Sequence, residues 1–243
     1  MTAQFKLGLL TPSSNTIMEP QSAAVVADLE NVSVHFGRFR VTEISMSDNA
    51  LGQFKFEPQL AAADLLADAK VDVIAWSGTS GSWIGTDNDK ELCRLITERT
   101  GVPATTSTLA LFAAFEALNV RRYGLVTPYL SEVQEAILRN FKEAGYDCTA
   151  ERHLEDKGNY SFAEYSEETI AEMVRATAGS KPDAIAIQCT NFNGTRIAPQ
   201  LERTLGIPVL DSVSFTIWHS MKLGGFDPRQ VKGWGRLFQE GGD

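Results

Sequence analysis

The stretch DVIAWSGT (residues 72–79) has a near-copy later in the chain, DAIAIQCT (residues 183–190). Each stretch begins with an apolar run and ends in small polar residues. Short apolar runs bounded in this way are typical of buried strands in parallel sheets, where both faces of the sheet are covered. We therefore interpret each stretch as a central strand followed by a loop.

Two further blocks recur in the same order around these strands. GLLTP (8–12) returns as GLVTP (124–128), and RTGVPATTS (99–107) returns as TLGIPVLDS (204–212). The offsets are 116 residues (8 to 124), 111 residues (72 to 183) and 105 residues (99 to 204). Offsets this similar, in an unchanged order, predict two related halves within one chain.

Strand-like and helix-like patterns alternate along the whole sequence, which predicts an α/β protein. The predicted strands are Lys6–Leu10, Val32–Phe39, Val71–Trp76, Ala104–Thr106, Arg122–Val126, Ala184–Gln188 and Val209–Leu210. The predicted helices include Pro58–Ala69, Asp87–Thr100, Thr108–Leu118, Leu130–Ala144, Ser166–Ala178 and Arg196–Leu205. We expect two pseudo-symmetric halves, each a mainly parallel sheet flanked by helices, with the active site in the cleft between them. The first half is predicted to comprise residues 1–112 and a returning C-terminal helix in 215–243, and the second half residues 113–214.

Charge and composition narrow the function classes. The 243-residue chain carries a net charge of −9, which argues against nucleic-acid binding because phosphate contacts need clustered Lys and Arg. No apolar run approaches the roughly 20 residues of a membrane span, and the N-terminus lacks a secretory pattern. Three widely spaced cysteines favour a reducing compartment, so we expect a cytoplasmic protein. The three histidines lack metal-ligand spacing, so we expect no metal site.

Four loops that follow predicted strands carry the candidate functional residues. They are residues 11–15, 78–80, 127–129 and 189–191. Ligands in open parallel sheets bind beyond the carboxyl ends of the strands, so these loops are expected to ring one cleft. Gly78 and Cys189 are counterparts in the repeat, because 111 residues separate them (78 to 189). One wall of the cleft therefore carries a thiol, and the facing wall carries no side chain.

This inequality restricts the chemistry. Two opposed thiols could remove a proton from one face of a carbon and return it on the other, as in a racemase. A single thiol at Cys189 can instead donate a proton to a carbanion or attack as a nucleophile. Loss of carbon dioxide makes a carbanion without a base, and the resulting enediolate needs aimed hydrogen-bond donors. Glycine at position 78 is expected to leave room for a bulky substituent or for the departing carboxylate.

The residues WSGTSGSW (76–83), the lone Cys189 and GWGRLF (233–238) resemble the arylmalonate decarboxylase family, within the aspartate/glutamate racemase superfamily. The resemblance spans nearly the whole chain and implies cofactor-free removal of one carboxylate from a substituted malonate. It implies that Cys189 donates the proton to the enediolate, with the Thr190 amide beside it. It also implies a dioxyanion hole built from Thr79 and Ser80, with Tyr129 and Pro12 on neighbouring loops.

The stretches TPSSNT (11–16) and QCTNFNG (188–194) resemble maleate cis-trans isomerases instead, which implies that Asn15 binds a carboxylate. Asn159 is a possible match to a second isomerase asparagine, and the roles of Asn159 and Asn191 stay open. The isomerase needs a first cysteine where this chain has Gly78. We therefore expect a cofactor-independent decarboxylase acting on a substituted malonate. The alternatives are a maleate isomerase- or racemase-type enzyme on a small carboxylic acid, and a non-catalytic carboxylate-binding protein.

The candidate side chains fall into three groups. Cys189 is the predicted catalytic residue. The predicted substrate-binding residues are Pro12, Ser13, Asn15, Gly78, Thr79, Ser80, Tyr129 and Thr190, of which Ser13 and Asn15 could also be helix caps. Trp76 is assigned to the core, Cys93 to packing, Cys148 to a polar turn and His219 to a structural role. The predicted partner is a small carboxylate substrate, and the sequence leaves the oligomeric state open.

Overall fold

The structure is a computed structural model that describes residues 4–241. Two four-stranded sheets have the orders β2-β1-β3-β4 and β6-β5-β7-β8, and all neighbouring strands are parallel. The strands are β1 (Phe5–Pro12), β2 (Val32–Phe39), β3 (Val73–Trp76), β4 (Ala104–Thr106), β5 (Arg122–Val126), β6 (Asp147–Arg152), β7 (Ala184–Ile187) and β8 (Val209–Asp211). The central strands β3 and β7 are buried along their whole length, as the near-copies predict.

Eleven α-helices cover the two sheets within the described residues. They are α1 (Met18–Val25), α2 (Asp48–Leu51), α3 (Phe56–Asp68), α4 (Gly81–Ile84), α5 (Thr86–Thr100), α6 (Ser107–Ala117), α7 (Ser131–Glu143), α8 (Glu167–Ala178), α9 (Ala198–Leu205), α10 (Ser212–Leu223) and α11 (Leu237–Glu240). None of these helices is long and apolar enough to cross a bilayer. The fold class predicted from the sequence is confirmed, namely two parallel sheets flanked by helices.

The two sheets share the same register as well as the same strand order. Leu7 pairs with Val73 in the first sheet, and Tyr123 pairs with Ala184 in the second. These pairs are separated by 116 residues (7 to 123) and 111 residues (73 to 184), which are the offsets of the sequence blocks. The repeated blocks therefore occupy equivalent positions, and the loops that follow β3 and β7 are structural counterparts.

Helix α10 follows the second sheet but packs against elements that come early in the chain. Its neighbours include α1, α6, β3 and β4, and it also contacts β8. Helix α6 runs across the predicted boundary between residues 112 and 113. The division into 1–112 with 215–243, and 113–214, stays a prediction.

Strand β6 was not expected from the sequence. It forms an edge of the second sheet and is only partly buried, and its sequence DCTAER lacks the apolar run of the central strands. An edge strand has one neighbour and needs less apolar surface, so its pattern is weak. The assignment of Cys148 to a polar turn was therefore wrong. Cys148 lies in β6, half-buried, and its thiol donates to the carbonyl oxygen of Ala150 at 3.3 Å.

Candidate active site

The loops after the central strands meet at a small cavity between the two halves. Its volume is about 20 Å³, which is room for about one water molecule. The lining residues are Pro12, Val41, Ile44, Phe54, Trp76, Gly78, Thr79, Ser80, Trp83, Tyr129, Asn159, Cys189 and Thr190. Seven predicted site residues thus share one cavity, namely Pro12, Gly78, Thr79, Ser80, Tyr129, Cys189 and Thr190.

Cys189 lies just beyond the end of β7, after Gln188, and a serine at the start of α10 holds its backbone. The Cys189 N–H donates to Ser212 Oγ at 2.8 Å, and Ser212 Oγ donates to the Ile187 carbonyl at 2.6 Å. Burial raises the pKa of the Cys189 thiol to about 12, although hydrogen bonds from the Tyr129 side chain and the Asn191 backbone favour the thiolate. The thiol is therefore protonated at neutral pH, with two donors placed to stabilise the thiolate once it forms.

The Tyr129 hydroxyl joins the two halves of the cavity. It lies 2.7 Å from the Thr79 hydroxyl, and it also bonds to the Cys189 side chain. Burial raises the pKa of Tyr129 well above its usual value, so the phenol stays neutral. The Tyr129 ring packs edge-on against Trp83 and Phe162, with centroids 5.3 and 5.5 Å away. Packing on both sides fixes this hydroxyl between the first-half loop and the thiol.

Backbone donors surround the same space. Within residues 4–241, the N–H groups of Gly78, Thr79, Ser80 and Thr190 donate no hydrogen bond to another protein group. The Thr190 hydroxyl is used differently, because it donates to the carbonyl oxygen of Ser77 at 2.9 Å. That bond ties the thiol-bearing loop to the opposite loop. Unpaired N–H groups beside hydroxyls form an environment suited to a carboxylate or an enediolate.

The wall at Gly78 is not empty, which corrects the sequence-based expectation. A Cβ added at Gly78 would lie 2.1 Å from Cζ2 and 2.4 Å from Cε2 of Trp76. The indole of Trp76 therefore occupies the volume that a side chain at position 78 would take. The prediction that Trp76 belongs to the core is confirmed, because the side chain is buried, and the same ring also lines the cavity.

Ser13 and Asn15 lie outside the lining of this cavity, and their contact with a ligand stays a prediction. The Asn15 Oδ1 accepts from the N–H groups of Ile17 and Met18, which is a capping arrangement at the start of α1. Its Nδ2 donates to the Thr190 hydroxyl at 3.1 Å. The exposed Ser13 exchanges hydrogen bonds with the backbone of Val41. Both residues therefore stabilise the loops of the site through hydrogen bonds outside the cavity lining.

Five lining residues were missed or left unassigned by the sequence reasoning, namely Val41, Ile44, Phe54, Trp83 and Asn159. The first three lie in the segment between β2 and α3, which follows no central strand. Isolated apolar residues in this otherwise polar segment were the available signal, and they carry no positional information without the fold.

That segment, residues 41–54, is here called the lid segment, and it contacts the second half directly. Glu43 forms an antiparallel bridge with Gly158, and the Ile44 N–H donates to the Lys157 carbonyl at 2.9 Å. Asn159 Nδ2 donates to Ser14 Oγ at 2.9 Å. These bonds close the cavity across both halves.

The remaining titratable groups do not assemble a metal centre. No group of three or more His, Cys, Asp or Glu side chains in the described part of the chain is placed to hold a metal ion. His219 shares a 2.9 Å hydrogen bond with the Thr105 hydroxyl, and burial lowers its pKa to about 4. It lies outside the lining of the cavity.

Comparison with known proteins agrees with this geometry. The sequence profile described as arylmalonate decarboxylase matches residues 7–238. The chain belongs to the arylmalonate decarboxylase family. The arylmalonate decarboxylase of Bordetella bronchiseptica is 28% identical over 237 residues, covering 96% of each chain. The resemblance inferred from the sequence motifs is therefore confirmed.

Maleate isomerases are also similar in sequence and structure to this member of the arylmalonate decarboxylase family. The maleate isomerase of Geobacillus stearothermophilus is 23% identical over 235 residues, covering 91% of this chain and 92% of the relative. The solved structure of Nocardia farcinica maleate cis-trans isomerase bound to TRIS has a TM-score of 0.88 at 23% identity, covering 96% and 97% of the two chains. Likeness at this identity establishes a shared fold, and it does not separate a decarboxylase from an isomerase.

Proposed function

We propose that the chain is a cofactor-independent decarboxylase of a substituted malonate, in which Cys189 protonates an enediolate intermediate. The observation that carries the proposal is a protonated thiol in a cavity whose facing wall is Gly78. Apart from the Tyr129 phenol, no other lining side chain titrates. With so few titrating side chains, the cavity suits a reaction that creates its carbanion without a base. Decarboxylation is such a reaction.

The bound malonate presents its two carboxylates to unlike surroundings. The retained carboxylate accepts hydrogen bonds from the N–H groups of residues 78–80 and from the hydroxyls of Thr79 and Ser80. The second carboxylate faces the apolar side chains of Val41, Ile44 and Trp76. Charge is poorly solvated there, which favours departure of that carboxylate as neutral carbon dioxide.

Bond breaking and proton transfer then follow in order. The bond between Cα and the second carboxylate breaks, and its electron pair moves into the retained carboxylate to give an enediolate. The donors around residues 78–80 stabilise the two oxygens that gain charge. The thiol of Cys189 transfers its proton to Cα, and the thiolate is held by Tyr129 and the Asn191 N–H until water reprotonates it.

A panel of three acids tests the proposal. With methylmalonate or phenylmalonate, the purified protein is expected to release one carbon dioxide per monoacid formed, and in D₂O the product gains one deuterium at Cα. Conversion of maleate to fumarate without carbon dioxide would instead indicate the isomerase. Deuterium exchange at the α-carbon of a monoacid, again without carbon dioxide, would indicate a racemase-type enzyme. Thermal stabilisation by the acids with no product would indicate a binding protein.

The variant Cys189→Ala tests the role of the thiol. We expect turnover to fall by at least about 10³-fold, because the Tyr129 phenol, whose pKa burial raises well above its usual value, is the one other titrating side chain of the lining and a poor proton donor. The dissociation constant for methylmalonate, measured by calorimetry, is expected to stay within about threefold of the wild-type value. Full activity in this variant would remove the proton-donor assignment.

A further inference from the structure

We propose that Trp76 makes the site favour a small alkyl group over an aryl ring as the α-substituent of the substrate. This inference rests on the proposed decarboxylase function and narrows it to a substrate class. The feature that carries it is the position of the indole, which fills the volume in front of Gly78.

The indole takes the place of a side chain on the wall across from the thiol. An added Cβ at Gly78 would approach three ring atoms of Trp76 at 2.1, 2.4 and 2.7 Å. Position 78 is the counterpart of Cys189 in the repeat, and both line the same cavity. The ring therefore lies on the side of the substrate opposite the proton donor. A planar aryl substituent directed toward that side would need the same volume.

The Trp76 ring is held on the rigid side of the cavity. Its backbone belongs to β3, where it pairs with Thr106 of β4. Its Nε1 donates to Ser80 Oγ at 3.1 Å, and the ring packs on Phe39 with centroids 4.8 Å apart. The side chain is 1% exposed. Moving it would break a buried hydrogen bond and open a cavity beneath it, so the ring stays in place when a ligand enters.

The opposite side of the cavity can adjust, but that does not relieve the restriction. A space of about 20 Å³ holds no malonate, so the lid segment must move to admit any substrate. Such movement enlarges the cavity beside Val41, Ile44 and Phe54, whereas Trp76 and Cys189 are positioned by the central strands β3 and β7 and do not belong to the lid segment. The substituent nearest Trp76 therefore stays limited to about the size of a methyl or ethyl group.

Matched variants test the restriction. The wild type is expected to favour methylmalonate over phenylmalonate by about tenfold or more in kcat/KM, the discrimination that a pocket of fixed size can provide. Trp76→Ala is expected to shift this ratio toward phenylmalonate by at least about tenfold, and Trp76→Phe by a smaller factor. The control is Trp218→Phe, which changes a buried tryptophan on α10 outside the cavity and is expected to leave the ratio unchanged.

Several outcomes separate this inference from the proposed function. Equal kcat/KM values of the wild type for both malonates would overturn the size restriction and leave the decarboxylase intact, as would an unchanged ratio in a folded Trp76→Phe. If no malonate releases carbon dioxide, the proposed function fails. The restriction is then decided by calorimetry, where a tenfold shift in the ratio of the two dissociation constants on Trp76→Ala supports it and no shift refutes it.

Discussion

At the scale of single residues, the proposed chemistry depends on the protonation state of one sulfur. Burial raises the pKa of Cys189 to about 12, so the thiol is the species present at neutral pH. A nucleophilic cysteine has the opposite property, because its pKa is lowered to expose a thiolate. The assignment as a proton donor therefore agrees with the surroundings of the sulfur.

Alkylation kinetics measure this protonation state. Because only the thiolate reacts, the rate at which iodoacetamide modifies Cys189 is expected to rise about tenfold per pH unit from pH 7 to 10 without levelling. Mass spectrometry of the digested protein separates Cys189 from Cys93 and Cys148, whose pKa values are also raised by burial. A plateau below pH 9 would contradict the raised pKa of Cys189.

Gly78 and Trp76 are expected to be energetically coupled. Gly78→Cys places a Cβ inside the indole volume and should destabilise the protein by about 1–3 kcal/mol, the usual cost of overpacking. Adding Trp76→Ala should remove that penalty, so the double variant is more stable than the sum of the two single changes predicts. Urea unfolding of the four proteins gives the coupling energy, and additive values would contradict the steric account.

Sequence reasoning found the residues of the site that follow strands and missed those whose position depends on side-chain packing. Thr79, Tyr129 and Cys189 could be predicted because each follows a strand in a repeated block. The direction of the Trp76 ring could not be predicted, because its rotamer depends on packing against Phe39 and on a hydrogen bond to Ser80. Neither contact leaves a pattern in the sequence. Asn15 makes the capping contacts that were one of its two predicted roles, and its contact with a carboxylate stays a prediction.

At the scale of elements, each half contains a buried hydrogen bond between a carboxyl and a threonine at equivalent ends of the two sheets. In the first half the Thr106 hydroxyl, at the end of β4, donates to Asp89 on α5. In the second half the Thr195 hydroxyl, before α9, donates to Asp211 at the end of β8 at 2.9 Å. Thr106 and Asp211 are equivalent in the repeat (106 to 211), and each caps the helix that follows. The helix-capping residue is thus the donor in the first half and the acceptor in the second.

Exchanging the first pair should reproduce the second. Thr106→Asp alone would bury two carboxyls together, and Asp89→Thr alone would remove the acceptor of the Thr106 hydroxyl. Each single change should lower the free energy of unfolding by about 1–3 kcal/mol. The double variant Asp89→Thr with Thr106→Asp should be more stable than either, as measured by urea unfolding. A double variant less stable than both single variants would contradict the equivalence of the two pairs.

The same carboxyls should make stability depend on pH. Burial raises the pKa of Asp211 to about 7, and that of Asp89 likewise. The folded state therefore holds these protons up to about pH 7, while the unfolded chain releases them near pH 4. Their contribution is fully present below pH 4 and is lost as the pH rises through 7, by at most about 4 kcal/mol each. Asp211→Asn should reduce this loss of stability between pH 5 and pH 8. The free energy of unfolding of the variant and of the wild type, each measured at both pH values, gives the contribution of Asp211. Equal slopes would contradict the raised pKa.

The elements themselves were largely predictable, with one informative exception. Central strands such as β3 and β7 need apolar residues on both faces, which leaves a clear pattern in the sequence. The edge strand β6 is held mainly by backbone hydrogen bonds to β5, and these leave no trace in the identity of its side chains.

At the scale of the whole molecule, access to the site depends on contacts between the two halves. The lid segment pairs with residues 157–158 of the second half, and the closed cavity is smaller than any malonate. Substrate entry therefore requires these contacts to open, as for other enclosed active sites.

Hydrogen exchange should detect this opening. The Ile44 amide, bonded to the Lys157 carbonyl, is expected to exchange at least about tenfold faster than the amides of β3 and β7, because a local opening frees it. Methylmalonate bound to the Cys189→Ala variant, which cannot turn it over, should slow exchange at Ile44 and leave the central strands unchanged. Exchange at Ile44 as slow as in β3 would show that the lid segment does not open locally.

The arrangement of two halves could be predicted because the sequence repeats in blocks at nearly constant offsets. The contact between the lid segment and the second half could not, since it pairs residues more than a hundred positions apart with no matching pattern. Local sequence patterns identify the repeated sheets. The closure of the cavity depends on how the two halves pack against each other, which no local pattern reports.

The shared register of the two sheets has a consequence for how such a protein could arise. Two identical polypeptides docked about a twofold axis present the same residue to each other, so both would offer a sulfur or neither would. Joining the copies in one gene lifts that constraint, because each copy can then mutate alone. A site that delivers hydrogen to one side of a flat intermediate, and so makes a product of single handedness, needs that broken symmetry.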